Sequence, residues 1–569
     1  MISKKYLSIL CIIFFVLSGF IFAQDDNVVQ LEPYNVNHQD IIEQIIADTT
    51  GHGGIPEGRI YEMVGGEVYL ATATFYVAAE EELIIRSSND EKAILYLYPT
   101  GGTSGDQPPG YLFRSRGGDI TMEGIALAGY FELGDDPENG IFDYFSNVQG
   151  GMLRVDGEGA SVYMINCIFS NINGQVLRTE GATNVIWAED CVFSNLGALS
   201  TSNFGAGKGI DLRAVSCDSL ILINNTFVNY QDRVIRHYNY SSPLEGTGIL
   251  NYAYMDHNTF VDGMGFHGVL SLGSVGDSVI IKNSLFVDAF AAGEDPTDTT
   301  RAQEWGNVGE VYDDSLGLNK MYWIFASPNE TTTWVVNNNY YAVTAEGQAF
   351  FDTYEEISVG TPLSGYIREA LGDDSTAAFT MIDDPVLTEV PELMVSLMTY
   401  YVEDAGKTKD TPNSTWDPQT QDMDRQPITY YVNDLDVSYS LTSPAYIGAE
   451  NGFPAGDLNG FPTQKALWEV TGVEADPEGG LAKEFALSQN YPNPFNPTTY
   501  ISFSIPEANH VMLKVYNILG QEVATLVNKE MAAGPYKVNF DASQLASGVY
   551  IYTISAGDFS ASKKMMLLK

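Results

Sequence analysis

The chain has 569 residues, with 28 Lys+Arg against 74 Asp+Glu and a formal net charge of −46. Phosphate binding needs cationic surface, so nucleic acid is excluded as a partner, and a mean hydropathy of −0.08 excludes a polytopic membrane protein. Rich Gly, Tyr and Phe content with little long-range helical patterning points to an all-β chain under an acidic, strongly hydrated surface.

Residues 1–23 read as a signal peptide. Lys4 and Lys5 form the charged start, Tyr6 to Phe22 the apolar run, and Ala23 precedes the polar Gln24-Asp25-Asp26. An uncleaved anchor is the alternative, since the run is long. No lipobox surrounds Cys11, and no later apolar run is long enough to span a bilayer. Loss of the leader leaves Cys167, Cys191 and Cys217. An odd number without CxxC or Cys/His metal spacing argues against a disulfide framework. Residues 24–54, apolar-patterned from Asp40 to Ala47, are expected to cap the exposed end of a solenoid.

From Gly66-Glu67-Val68-Tyr69-Leu70 and Leu83-Ile84-Ile85-Arg86 onward the chain reads as short strands, and its middle repeats. The segments are Asn166-Cys167-Ile168-Phe169, Asp190-Cys191-Val192-Phe193, Asn224-Asn225-Thr226-Phe227, His257-Asn258-Thr259-Phe260, Lys282-Asn283-Ser284-Leu285 and Asn337-Asn338-Asn339-Tyr340. The shortest spacing, 24 residues, suits one rung of a right-handed parallel β-helix, and longer spacings are a rung plus insertions. Rungs stack ~4.8 Å apart, so equivalent residues form columns. Asn225, Asn258, Asn283 and Asn338 are expected to form an asparagine ladder inside a turn, each amide bonding its neighbours above and below. Cys167 and Cys191 fall in the same column, and their parallel side-chain vectors favour two buried thiols over a disulfide. These N-x-[TSN]-[FLY] turns resemble those of the pectin-lyase-like β-helix superfamily over residues 55–345, an architectural likeness that identifies no single family.

A second column pairs an inward apolar residue with an outward arginine at Phe113-Arg114, Leu153-Arg154, Leu177-Arg178, Leu212-Arg213 and Ile235-Arg236, before Leu270-Ser271 breaks it. Stacked guanidinium groups repel unless anions lie between them. Asp156 and Glu180, two residues on and hence on the same face, are the ordinary candidates for that role. The functional reading has Arg154, Arg178, Arg213 and Arg236 bind carboxylates or sulfates of an acidic polysaccharide through bidentate contacts. Insertions at 200–209, 237–248 and 290–320 would wall a groove on that sheet. His237, His257 and His267 cluster there with Tyr238, Tyr240, Tyr252 and Tyr254. A uronate lyase needs a cation to acidify the proton beside the carboxylate and a base to remove it, so Arg236, His237 and Tyr238 are the catalytic candidates. His257 occupies a turn position suited to a structural role. If the chain is an enzyme, polysaccharide lyase or glycoside hydrolase chemistry is expected. Asp135-Asp136-Pro137-Glu138 and Asp373-Asp374 are candidate Ca²⁺ ligands; no EF-hand or RTX spacing supports them, and no other metal or cofactor is implied.

Ser443-Pro444-Ala445-Tyr446-Ile447-Gly448 through Gly456-Asp457-Leu458-Asn459 resembles the closing segment of such solenoids, which extends over 55–469, and 470–484 reads as linker. Residues 485–569 alternate short strands with Gly, Pro and Asn turns, a small Ig-like β-sandwich. Gly520 and Gly548 mark turn or bulge positions. Its motifs are Asn490-Tyr491-Pro492-Asn493-Pro494-Phe495-Asn496-Pro497, Val515-Tyr516-Asn517-Ile518-Leu519-Gly520, Ser547-Gly548-Val549-Tyr550-Ile551-Tyr552 and the terminal Lys563-Lys564-Met565-Met566-Leu567-Leu568-Lys569. They resemble the type A sorting domain of the Bacteroidota type IX secretion system from end to end. The resemblance implies Sec-dependent passage, export through the outer-membrane translocon and surface attachment or release. The expectation is therefore an exported, monomeric β-helix that binds an acidic polysaccharide, with its cleavage as a further expectation; the alternative is a non-catalytic surface structural protein or adhesin.

Overall fold

The computed structural model describes residues 27–98, 110–129, 151–197, 204–238, 248–304, 320–327, 329–410, 424–471, 473–475, 485–488, 490, 493, 495–506, 509–518, 521–531, 534–557 and 559–567. The leader, Tyr240, Asp135-Asp136-Pro137-Glu138 and Gly520 lie outside them.

The middle of the chain is a right-handed parallel β-helix. Each rung gives one strand to each of three parallel sheets of 10, 10 and 9 strands, here called A, B and C in the order the chain visits them. Alternation along each strand sends one set of side chains inward. In sheet A, Ile186, Ala188, Leu220, Leu222, Ala253, Met255, Val279 and Ile281 join the central core. In sheet B the interior carries a stack of aromatic rings, Phe169, Phe193, Phe227, Phe260 and Phe286, with successive centroids 5.3, 4.7, 5.2 and 4.5 Å apart. Each ring is fully buried and stabilises the fold by ~1.5–3 kcal/mol through burial alone.

Each rung turns at three corners, and two of them repeat a left-handed residue at an equivalent position. Between sheets A and B the residues are Gly124, Asn166, Asp190, Asn224, His257, Asn283 and Asn338, with φ between 51 and 68°. Asn and Asp tolerate this region because their short polar side chains bond locally. The following position forms the ladder: Cys191 N–H donates to Asn225 Oδ1 (3.0 Å), Asn225 N–H and Nδ2 to Asn258 Oδ1 (3.1 and 3.0 Å), Asn258 N–H to Ser284 Oγ (3.2 Å) and Ser284 N–H to Asn339 Oδ1 (3.1 Å). This corrects the expected column. Asn283 and Asn338 occupy the left-handed position, and Ser284 and Asn339 continue the ladder, because Phe260 pairs with Phe286 and Leu285 with Tyr340. Cys167, Cys191 and Cys217 are buried free thiols. The second corner, between B and C, is a ladder that the motif did not reveal. Asn171, Asn195, Asn229, Asp262 and Asp288 are left-handed there, and Asn195 Nδ2 donates to Asn171 Oδ1 (2.7 Å) as Asn229 Nδ2 does to Asn195 Oδ1 (2.8 Å).

At the N-terminal end, Val28–Leu31 pairs with Ile60–Met63. The helix Ile41–His52, N-capped by the Asp40 side chain, buries Ile41, Ile42 and Ile45. At the other end the chain turns back and lays residues 424–461 over the outer face of sheet B. There Ile428, Tyr431, Tyr439, Ala445, Phe453 and Phe461 pack on Ile168, Val228, Val261, Leu285 and Val287. The segment also satisfies corner polar groups: Thr226 Oγ1 donates to Asp457 Oδ2 (2.7 Å), and Tyr431 Oη donates to Asn195 Oδ1 (2.7 Å).

The C-terminal module is a sandwich of two four-stranded antiparallel sheets around a separate core that includes Phe495, Ile501, Leu513, Val515, Tyr552 and Leu567. The stretch expected as linker begins as structure, because Val473–Ala475 pairs with the sandwich strand Gly534–Asp541 as an edge strand. Gly548 opens the strand Gly548–Ala556 rather than marking a bulge.

Candidate functional site

The three outer faces of the solenoid differ. Over the middle rungs sheet A is covered at Trp187, Ile221, Ile223, Tyr252, Tyr254 and Ile280, and sheet B by the return segment. Sheet C carries a row of charge. Strand register aligns Tyr76, Arg114, Arg154, Arg178, Asp211, Arg236 and Ser271.

The row differs from the expected one at a single place. Arg213 is not in it; Asp211 is, and Arg213 pairs with His237 beyond a bulge between Asp211 and Arg213. The bulge follows from Arg213 being left-handed, with φ 53°, and its N–H donates back to Asp211 Oδ1 (3.2 Å).

The first half of the row is half-open. Asp156 sits between Arg114 and Arg154, with Arg114 Nη2 2.7 Å and Arg154 Nε 2.6 Å from its oxygens. Glu180 accepts from Arg178 Nε and Nη2, both at 2.8 Å, and lies 3.8 Å from Arg154 and 3.9 Å from Arg213. Four guanidinium groups therefore share two carboxylates. The side chains of Arg114, Arg154, Arg178 and Arg213 stay 29, 25, 22 and 33% exposed. Excess positive charge at the surface of a chain with net charge −46 is the unusual feature. Aromatic faces lie beside it: Arg114 and Arg116 stand 5.4 and 4.2 Å from the Tyr76 ring centroid, and Arg154 stands 5.4 Å from that of Tyr111. Tyr76 is 41% exposed.

The second half of the row is closed. Arg236 and His237 are buried with Tyr238. Arg236 Nη1 lies 3.3 Å from Asp211 Oδ2, and its guanidinium carbon stands 4.9 Å from the Tyr238 ring, with Arg233 at 5.2 Å. His237 Nδ1 is 2.8 Å from Leu272 O and Nε2 is 2.9 Å from Val215 O. Burial lowers its pKa, partly opposed by those carbonyls. His267 donates toward Asp232 instead (Nδ1 to Oδ1, 2.8 Å), and His257 lies at the A–B corner 2.7 Å from Asp256 Oδ1. The three histidines therefore do not converge on one point.

Around Arg236 the structure assembles charges that the sequence pattern did not single out. Lys208 Nζ lies 2.9 Å and Arg233 Nε 3.2 Å from Asp232 Oδ2, and Arg233 Nη1 donates to Ser271 Oγ (3.2 Å). Burial opposes ionisation of Asp232, but Arg233, Lys208 and His267 outweigh it and hold the carboxyl well below its usual range. Burial lowers the Lys208 pKa against the pull of Asp232 and Asp211. The available signal was Gln231-Asp232-Arg233, three consecutive polar residues directly after a buried strand.

The longest connections lead from sheet B into sheet C. The chain runs from Ile125–Ala128 in sheet B to Gly151–Val155 in sheet C, and from Leu285–Val287 to Tyr322–Phe325, through its longest insertions. The candidate Ca²⁺ ligands Asp373 and Asp374 lie exposed in the 3₁₀ turn Gly372–Thr376. Among the described residues no group of three or more His, Cys, Asp or Glu is arranged to hold a metal ion, and no helix is long and apolar enough to cross a membrane.

A family described as the secretion system C-terminal sorting domain matches residues 489–568, the sandwich. No curated protein matches the chain. The sandwich marks the chain as cargo of type IX secretion, exported to the cell surface or the extracellular space.

Proposed function

We propose that the exported solenoid binds an acidic polysaccharide along the outer face of sheet C, with Arg114, Arg154, Arg178 and Arg213 contacting its carboxylates or sulfates. One observation carries this reading: on the half of sheet C that the described residues leave partly open, four partly exposed arginines share two carboxylates. A guanidinium bound on one edge to Asp156 or Glu180 keeps further N–H donors for a ligand, and its fork suits carboxylate and sulfate. Stacking at ~4.8 Å presents those donors as a periodic row, matched to a polymer of like units. Tyr76 and Tyr111 add flat apolar surface against which sugar rings pack.

Binding without turnover fits the geometry better than catalysis. Arg236, His237 and Tyr238 are buried and engaged with one another, with Asp211 and with main-chain carbonyls, which suits them to holding the closed half of the sheet. A passive spacer or adhesin is the second reading, favoured by the carboxylates already paired with the row.

The test is a panel of neutral, uronate and sulfated glycans offered to the exported chain, with and without Ca²⁺, alongside an assay for new chain ends. Binding to acidic members alone is expected, weakened about tenfold, ~1.4 kcal/mol, by Arg154→Ala or Arg178→Ala. Glu180→Gln should strengthen it. Equal binding of neutral glycans, or none to acidic ones, refutes the reading.

A further inference from the structure

Strand alternation places Trp187, Ile221, Ile223, Tyr252, Tyr254 and Ile280 on the outside of sheet A, between the inward residues of the central core. Outward residues of a solenoid face water unless something lies over them, yet these six are nearly inaccessible, from 1% for Ile221 to 8% for Trp187. The cover comes from the C-terminal part of the chain. Trp468, on the helix Pro462–Thr471, packs against the strip and meets His257 edge-on at 5.3 Å. That helix packs on the sandwich strand Gly534–Asp541, whose Tyr536 is buried within electrostatic reach of Tyr252, Lys282 and Glu450.

Charge aligns the same contact. Lys529 of the sandwich lies 3.0 Å from Glu450 Oε1, and Glu450 Oε2 lies 2.9 Å from Lys282 of sheet A. Lys282 is also 3.4 Å from Asp256. Two cations and two carboxylates thus alternate from solenoid to sandwich. The backbone makes a third link, because Val473–Ala475, which precedes the connecting residues 476–484, hydrogen-bonds as an edge strand of the sandwich sheet.

We infer that the outer face of sheet A is a built docking site for the protein's own sorting domain, which stays seated there without the covalent connection. The apolar strip supplies adhesion, the Lys529–Glu450–Lys282 relay sets orientation, and the edge strand stays with the solenoid when the chain is cut after it. Scission and release are then separate events. Anything that engages the sorting domain through Gly534–Asp541 or Lys529 competes with the solenoid for it.

The experiment inserts a specific protease site between Pro477 and Gly480 in the otherwise complete chain and cuts it under native conditions. The two fragments are expected to co-elute on size exclusion at micromolar concentration. Lys529→Glu, which places a second carboxylate beside Glu450, is expected to weaken their association about tenfold with an unchanged circular dichroism spectrum. In the uncut chain the same substitution should raise amide exchange in Gly534–Asp541, a readout independent of the cut. Fragments of the unmodified chain that part on cutting overturn the inference. So does a Lys529→Glu pair that associates as tightly as the unmodified one, with unchanged exchange.

Discussion

Asp457 joins the return segment to the solenoid through a buried carboxyl, and its titration gives a measurable dependence of stability on pH. It is 4% exposed; Oδ1 accepts from Asn459 N–H (2.9 Å) and Nδ2 (2.8 Å), and Oδ2 from Thr226 Oγ1 (2.7 Å). Burial pushes its pKa up to about 7, against the hydrogen bonds that favour the ionised form, with Asp190 adding to the rise. A carboxyl raised in the folded state binds more protons there than when unfolded. Its contribution is therefore fully present below pH ~4, the unfolded value, and falls away as pH rises toward about 7. The shift is on the order of 4 kcal/mol between those limits. Asp457→Asn is nearly isosteric, keeps an acceptor for Asn459, and lets Thr226 accept from its amide. Urea unfolding of both proteins from pH 4 to 8 should show the variant gaining on the parent as pH rises, with most of the gain between pH 5 and 7. Taking the difference removes the general effect of the chain's acidity. A flat difference, or one that grows toward low pH, refutes the assignment.

Asp262 continues the second ladder at a position where a donor is needed. Burial, with Asp288, Glu346, Asp384 and Asp424 nearby, raises its pKa well above the usual range. Asp262→Asn is therefore expected to raise Tm by a few degrees at pH 8 and little at pH 4, measured by differential scanning calorimetry. Phe227→Ala opens the aromatic stack between Phe193 and Phe260 and should cost ~3–5 kcal/mol in denaturant titration. A cost below 1 kcal/mol would mean the column is not continuous. Cys167, Cys191 and Cys217 are buried and unbridged, so a thiol reagent should label none in the native protein and all three in urea without reductant.

The rungs were legible because each needs the same local solution: a β-rich run, a left-handed polar residue, a ladder residue and a buried ring. Where two solutions overlap, the reading slips. Lys282-Asn283-Ser284 and Asn337-Asn338-Asn339 each offer polar residues to both columns, and only pairing of Phe286 with Phe260 decides the register. Arg213 was misplaced for a related reason, since a bulge adds a residue to the strand without changing its apolar pattern. The pairing of Asp156 and Glu180 with the arginine row followed from residues two apart sharing a strand face. The buried charges Lys208, Asp232 and Arg233 left only the run Gln231-Asp232-Arg233 in the sequence, because Lys208 and Ser271 reach that run from other rungs. The return segment has no repeat; its part from Ser443 to Asn459 is legible as a closing segment, but the face it covers is set by contacts with Ile168, Val228, Val261 and Leu285.

That segment changes how the molecule can come apart. In a simple solenoid each rung knows only its neighbours, and the ends peel away one turn at a time. Here Asp457 reaches Thr226 and Thr259, Asn459 reaches Asp190, and Gln426 and Tyr431 reach Asn195. One stretch from the far end of the chain thus clamps consecutive middle rungs and makes their loosening a shared event. It is synthesised after every rung of the solenoid, so the middle rungs wait for their clamp until the whole solenoid has been made.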